Sequence, residues 1–238
     1  MNFLPHFWTV VLAFSTLNAS GQNASSGLHL SFNDSPAGEV PAQMTQDNTP
    51  SADAIRVVDA SSDPADPFGG AGNHSLLIDK ADEGVAPIAI FRTEGGYDRG
   101  LVTFRYYPDM AVSQIPTRAF VHLQGNGEVA VMLQFIGGKP SYIGGDDNRA
   151  RNFDQIGHTT EGNEVILEFD LGKSVFRGSL NGEPLSIKGE TEFPLRTVPT
   201  EINEISLRVS TNQGPVARAF FDDITLTEAP AGGASTKP

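Results

Sequence analysis

The fold class is decided by residues 164–187, which read EVILEFDLGKSVFRGSLNGEPLSI. Within Glu164–Asp170, apolar side chains alternate with acidic ones, which is typical of a β-strand with one buried face. The next apolar segment, Ser174–Leu180, leads directly into Asn181-Gly182, a pair that favours a tight hairpin turn because both residues accept positive φ. This stretch therefore predicts antiparallel strands joined by short turns.

The same pattern extends in both directions along the chain. No segment sustains a helical period, and Asn126-Gly127 marks a second tight hairpin. Two long loops are predicted, Asp59–Asn73 and Gly137–Gly157. The predicted fold class is all-β, a two-sheet antiparallel β-sandwich of the jelly-roll kind. The predicted strands are Leu28–Phe32, Ile55–Val58, Ser75–Ile78, Ile88–Phe91, Leu101–Tyr107, Arg118–Gln124, Glu128–Phe135, Glu164–Asp170, Ser174–Leu180, Glu204–Ser210 and Val216–Leu226.

Composition excludes several classes of function. The formal net charge is −13, which repels phosphate backbones, so we expect no nucleic-acid partner. The chain has no Cys, which excludes disulfides, thiolate metal sites and cysteine nucleophiles. Its five His residues are scattered without a metal-binding spacing, which argues against a zinc enzyme.

The two ends of the sequence differ from its middle. Residues 1–21 combine a short apolar run with the small residues of Ala19-Ser20-Gly21, which predicts a cleaved signal peptide. Residues 22–227 form the predicted β-sandwich domain, and residues 228–238 read as a flexible C-terminal tail. No later segment is apolar enough to span a membrane after signal cleavage. We therefore expect a secreted, periplasmic or cell-surface protein, and the absence of Cys favours bacterial export.

Four segments, in order, resemble concanavalin A-like and laminin-G-like jelly rolls and related carbohydrate-binding modules. The opening SFND of residues 31–34, followed by AGEVP at 37–41, is similar to the first strand of such domains. Residues 75–78 (SLLI), the hairpin FRGSLNGEPL at 176–185 and the closing FFDDITL at 220–226 are similar to later strands. The resemblance implies a concanavalin A-like fold for a secreted bacterial protein.

The resemblance also implies a structural Ca²⁺ that ties the first strand to the last. Asn33 and Asp34 in the opening strand, with Asp222 and Asp223 in the closing one, are the matching oxygen ligands. Asp222 is in phase with Phe220, Ile224 and Leu226, so its side chain is expected to point inward, where a metal would offset the cost of an unpaired carboxylate. The alternative is that Asp223 caps a turn and the other side chains are solvated.

A polar sheet face is the predicted glycan-binding site, because sugar recognition combines aromatic rings with hydrogen-bonding groups. If that sheet is concave, these residues could line a groove; the alternative is a solvated sheet face with ordinary cross-strand pairs. The sequence contains one Trp, within the signal peptide, and four Tyr, which is few for a sugar site. The predicted glycan-binding residues are Arg105, Tyr107, His122, Gln124 and Gln134, and Phe120, Met132, Glu168 and Arg208 also fall on polar strand faces.

No catalytic residues are predicted. A glycoside hydrolase needs two carboxylates across the scissile bond, and the spacing of Glu164 and Glu168 differs from the motif of laminarinase-like jelly rolls. Arg92-Thr93-Glu94 and Gln155-Ile156-Gly157-His158 resemble pieces of an alginate-lyase site, but the motifs are incomplete.

The function predicted from the sequence is a secreted, non-catalytic binding module. Its partner would be a polysaccharide or an extracellular surface protein. Two alternatives stay open: a polysaccharide-cleaving enzyme, lyase or glycoside hydrolase, on a jelly-roll fold, and a structural protein of the envelope or matrix.

Overall fold

The computed structural model describes residues 27–47, 53–68, 72–81, 86–111, 117–144, 149–210 and 216–229. In these ranges the chain forms sixteen β-strands, and no helix long and apolar enough to cross a membrane occurs there. The predicted signal peptide and residues 230–238 of the predicted tail lie outside the described residues. The strands are β1 Leu28–Leu30, β2 Met44–Asp47, β3 Ile55–Val58, β4 Ser75–Lys80, β5 Ile88–Tyr97, β6 Arg99–Pro108, β7 Arg118–Gly125, β8 Glu128–Ile136, β9 Lys139–Gly144, β10 Arg149–Asn152, β11 Asn163–Asp170, β12 Val175–Leu180, β13 Glu183–Pro184, β14 Phe193–Pro194, β15 Ile202–Ser210 and β16 Ala217–Glu228.

The strands pair into two antiparallel sheets, which confirms the predicted sandwich. The nine-stranded sheet has the order β13-β12-β11-β6-β16-β4-β3, with β1 also paired to β16 and β14 to β12. The seven-stranded sheet has the order β10-β9-β8-β7-β15-β5-β2. β15 and β16 follow each other in the chain but belong to different sheets, so this connection passes from one layer to the other.

The core consists of apolar side chains from the two inner faces. The ring of Phe135 on β8 lies 4.3 Å from that of Tyr106 and 6.2 Å from that of Phe104, both on β6 of the other sheet. All three residues are at most 1% exposed. Since burial of one such ring contributes about 1.5–3 kcal/mol, these contacts hold the two layers together.

Both predicted hairpin turns are present. Asn126 and Gly127 have φ of 52° and 80°, and Asn181 and Gly182 have φ of 53° and 82°. These values are typical of the type I′ turn, which Asn-Gly favours. The first turn joins β7 to β8, and the second joins β12 to β13.

The prediction of a loop over Gly137–Gly157 is wrong for much of this range, because the range contains β9 and β10. β9 pairs with β8, with Pro140 opposite Phe135. Pro140 lacks a donor for the sheet, and two glycines precede it, so the segment has the composition of a loop. Burial does not alternate along β9, so only its pairing with β8 identifies the segment as a strand.

The last strand, β16, changes face at a β-bulge. Asp222 is opposite Arg105 and Thr225 is opposite Thr103, so β16 has one extra residue at this point. Asp223, within the bulge, has φ of 49°. The predicted phase of Asp222 is therefore wrong: Asp222 shares the outer face with Phe220, and the bulge turns Ile224 and Leu226 inward.

Part of the outer face of the nine-stranded sheet is covered by the chain itself. Residues 59–68, between β3 and β4, lie across it, and Phe68 packs with Val58, Leu77 and Phe220 in a second hydrophobic cluster. Asp66 fixes this segment, because its carboxylate accepts hydrogen bonds from the backbone N–H of Phe68 and the hydroxyl of Ser75, at 2.9 Å each. Residues 59–68 therefore cover this sheet at β3, β4 and β16, while Glu168 on β11 and Arg177 on β12 stay partly exposed.

Candidate functional site

The outer face of the seven-stranded sheet carries a polar surface at its centre. Its residues come from three neighbouring strands, because Phe120 on β7 lies opposite Gln134 on β8 and Arg208 on β15. In the next row, His122 lies opposite Met132 on β8 and Ser206 on β15. We call this the His122 surface, formed by Phe120, His122, Met132, Gln134, Ser206 and Arg208.

The imidazole of His122 is neutral at pH 7. Burial, together with the positive charges of Arg208 and Arg196, lowers the pKa of His122 to about 4. Its Nε2 is buried and has no hydrogen-bond partner among the described residues. The ring packs edge-on against Phe120, with centroids 6.3 Å apart. A neutral imidazole has one donor and one acceptor nitrogen.

Arg208 and Arg196 place positive charge beside His122. The Arg208 guanidinium lies 5.7 Å from the centroid of the Phe120 ring, and its buried Nε has no hydrogen-bond partner among the described residues. Arg196 comes from the segment before β15, and its Nη1 lies 3.4 Å from Sδ of Met132. Neither guanidinium forms an ion pair with a carboxylate of the described residues.

Of the five predicted glycan-binding residues, His122 and Gln134 belong to this surface. Gln134 is only 4% exposed. Gln124 lies on the same sheet face one row further, where its amide donates to the carboxylate of Glu204. Glu204 also pairs with Arg92, at 2.7 Å. Gln124 is therefore held by protein partners.

The single groove expected for all five residues is not formed, because Arg105 and Tyr107 lie in the other sheet. Both are on the outer face of β6, beneath the segment that covers it. The Arg105 guanidinium lies 4.4 Å from the centroid of the Phe68 ring and 3.6 Å from the Asp223 carboxylate. Tyr107 packs against Phe220, with ring centroids 6.0 Å apart. The alternation within a strand defines its two faces but not the sheet to which it belongs.

Arg196 is the main residue of the site that the sequence did not single out. It lies outside the strands, and its backbone N–H donates to the carbonyl of Ala130 at 2.8 Å, which fixes it beside β8. No periodic pattern marks such a residue. Ser206, 4% exposed, alternates with apolar neighbours in β15, so the strand pattern would have placed it on the polar face.

Two of the proposed metal ligands, Asp222 and Asn33, have side chains that are held by protein hydrogen bonds. Asp222 is fully buried; its Oδ1 accepts from the N–H of Asp223 at 2.8 Å and its Oδ2 from the amide of Asn73 at 3.2 Å. Burial is the main cause that raises the pKa of Asp222 to about 6. The side-chain oxygen of Asn33 accepts from the N–H of His74 at 2.8 Å. Among the described residues, no group of three or more His, Cys, Asp or Glu side chains is arranged to hold a metal ion. Calcium binding by Asn33, Asp34, Asp222 and Asp223 stays a prediction.

The pieces that resemble a lyase motif are not brought together. Arg92 is in the seven-stranded sheet and paired with Glu204. The side chain of Gln155 exchanges hydrogen bonds with Ser186, and its Oε1 accepts from the backbone N–H of Ser186 at 2.8 Å. Glu168, in the nine-stranded sheet, is bound by Arg177 at 2.8 Å. Neither the residues that resemble a lyase motif nor Glu168 therefore belongs to the His122 surface.

A shallow cleft of about 180 Å³ lies on the nine-stranded sheet, at β6, β11 and β12. Its cations are matched by carboxylates. Arg177 binds Glu168, while Arg99 and Lys173 both lie within 3.7 Å of Asp170. This cleft therefore contrasts with the His122 surface, where Arg208 and Arg196 lack such partners among the described residues.

Comparison with known proteins identifies the fold. The chain matches no family model and no curated protein sequence. It is similar in structure to a sialidase, with a TM-score of 0.64 and 11% identity over 87% of this chain, which spans 19% of the sialidase. It is also similar to a carbohydrate esterase of Shiga toxin-encoding bacteriophage phi24B, with a TM-score of 0.52 and 12% identity over 78% of this chain and 90% of the esterase.

A third similar structure is the endo-β-1,4-glucuronan lyase of the fungus Trichoderma reesei. Here the TM-score is 0.53 and the identity 10%, over 81% of this chain and 94% of the lyase. The shared property is the sandwich. At identities of 10–12% the likeness shows the fold alone, in agreement with the concanavalin A-like resemblance.

Proposed function

We propose that this protein is a secreted module that binds a polysaccharide on the His122 surface without cleaving it. The observation that carries the proposal is the difference between the two outer faces. Residues 59–68 pack on the part of the nine-stranded sheet formed by β3, β4 and β16, and arginines on the rest of that face are paired with carboxylates, whereas Arg208 and Arg196 beside the seven-stranded sheet have no carboxylate partner among the described residues. The centre of the seven-stranded sheet brings together the Phe120 ring, the His122 imidazole and the Arg208 guanidinium.

The chemistry of this surface suits a sugar. The half-buried Phe120 ring provides an apolar patch for the C–H face of a pyranose, and His122 and Arg208 provide polar atoms beside it. The similar structures include carbohydrate-active enzymes, which supports the proposal at the level of the fold. A secretory leader would deliver such a module to polysaccharides outside the cell.

The test is retention of the full-length protein on a panel of immobilised neutral and acidic polysaccharides. We expect selective retention, and we expect His122→Ala to weaken it. The matched control is His29→Ala, which changes an exposed histidine of β1 in the other sheet. Lack of retention on every polymer, or equal effects of both variants, would contradict binding at the His122 surface.

Incubation with each retained polymer distinguishes a binding module from an enzyme. We expect the chain length of the polymer to stay unchanged. Shortening of the polymer by the wild-type protein, and not by His122→Ala, would instead support the alternative of a polysaccharide-cleaving enzyme at the same surface.

A further inference from the structure

The His122 surface is a cationic region on an acidic protein. The chain has a formal net charge of −13, and most of its arginines with described partners are paired with carboxylates. Arg118, Arg196 and Arg208 differ, because none of them forms an ion pair with a carboxylate of the described residues. Their charges are therefore available to a ligand.

These three arginines approach the surface from different elements. Arg208 is on β15, opposite Phe120 of β7. Arg118 is one row away on β7, opposite Ser210 and Ile136. Arg196 reaches Met132 from the segment that precedes β15. Positive charge is thus distributed along the sheet instead of being concentrated at one point, which suits a polymer with repeated anionic groups better than a single small anion.

The Arg208 guanidinium and the His122 imidazole lie at the centre of the surface, on either side of Phe120. Arg208 Nε is a donor at all accessible pH values, and His122 Nε2 donates or accepts according to its tautomer. The planar guanidinium fits the two oxygens of a carboxylate, which accept parallel hydrogen bonds from it. A neutral imidazole fits a sugar hydroxyl.

From this arrangement we infer that the His122 surface binds an acidic polysaccharide whose sugar rings carry carboxylates, with Arg208 as the group that binds the carboxylate. Arg118 and Arg196 interact with carboxylates of neighbouring sugars, and His122 binds a hydroxyl. This inference rests on the proposed function, because it names the class of polysaccharide that the same surface takes.

The experiment compares polymers that differ only in charge. The full-length protein is titrated with polygalacturonate, alginate and polyglucuronate, and with each polymer after chemical reduction of its carboxylates to alcohols. We expect at least one polyuronate to bind, and its reduced form to bind at least about tenfold more weakly. We also expect the affinity to fall as NaCl is raised.

Variants assign the effect to the surface. Arg208→Gln is expected to weaken polyuronate binding by about tenfold, the loss typical of one charge-assisted hydrogen-bonded pair. Arg177→Gln is the matched control, because Arg177 lies on the outer face of the other sheet and should not change binding. Arg118→Gln, which removes a guanidinium one row from the centre, is expected to weaken binding too, and it serves as the test if Arg208→Gln does not fold.

The outcomes separate the two proposals. Equal binding of a polyuronate and its reduced form would overturn the inference and leave polysaccharide binding intact. Equal binding of dextran sulfate and polyuronate would also overturn it, since any anion would then suffice. Binding of no polymer, neutral or acidic, would overturn the proposed function and the inference with it.

Discussion

Nη1 of Arg218 on β16 lies 3.3 Å from Oδ2 of Asp109, a residue that is fully closed to solvent. The same guanidinium also pairs with Asp63, and its Nε lies 3.4 Å from Oδ2 of Asp79. One cation thus compensates three carboxylates. Burial raises the pKa of Asp79 even though Arg218 and, more weakly, Arg56 oppose this shift, so Arg218 is the main compensating charge of the cluster.

Arg218→Met should strongly destabilise the fold, because it leaves these carboxylates without a compensating charge. We expect the free energy of unfolding, measured by urea denaturation, to fall by about 3 kcal/mol. Arg177→Met is the control: it breaks the ion pair with Glu168, in which both side chains are partly exposed, and should cost about 0–1 kcal/mol. Losses of similar size would show that the cluster contributes no more than a surface pair.

His122 gives the stability a dependence on pH with a defined sign. The folded protein has a pKa of about 4 at this site against an ordinary value of 6.5, so the unfolded chain binds more protons between these limits. Stability therefore falls as the pH is lowered through this window. We expect the free energy of unfolding of wild type to lose about 3 kcal/mol more than that of His122→Gln between pH 7 and pH 4. Urea denaturation at several pH values measures this difference. Free energies of unfolding that change equally with pH in the two proteins would contradict the expectation.

The predicted calcium site has a direct thermal test. If Ca²⁺ binds at Asp222, chelation should lower the melting temperature, because a ligand that binds only the folded state stabilises it. Asp222→Ala should abolish the response to the chelator. Asp59→Ala is a control on an exposed aspartate that only local serine contacts hold, and it should keep the response. A melting temperature that chelator leaves unchanged in wild type would exclude the site.

Gly125, at the end of β7, tests the close approach of two chain segments. A Cβ at this position would overlap the backbone carbonyl oxygen of Glu201, which cannot rotate away. We expect Gly125→Ala to lower the free energy of unfolding by about 3 kcal/mol. A Cβ at Gly95 would meet nothing within 4 Å, so Gly95→Ala should change the free energy of unfolding by less than about 0.5 kcal/mol. Differential scanning calorimetry compares the two, and equal melting temperatures would contradict the expectation.

The sequence predicts the features of this fold that depend on neighbouring residues. The Asn126-Gly127 and Asn181-Gly182 turns follow from local backbone preferences, and the alternation in β11 follows from one buried face. Sheet membership depends on pairing between distant segments, so the separation of Tyr107 from His122 could not be predicted. The bulge at Asp223 likewise becomes visible only in the register with β6, and Arg196 carries no periodic signal at all.

The pairing of β1 with β16 also governs how the fold responds to mechanical load. Leu28 lies opposite Leu226 in an antiparallel register, so Gly27 and Thr227 emerge side by side at the same end of the sheet. A pulling force applied at these two residues would break the hydrogen bonds between β1 and β16 one at a time and would not shear them all together. Since each bond contributes only about 1 kcal/mol, β1 would peel away at low force before either sheet separates.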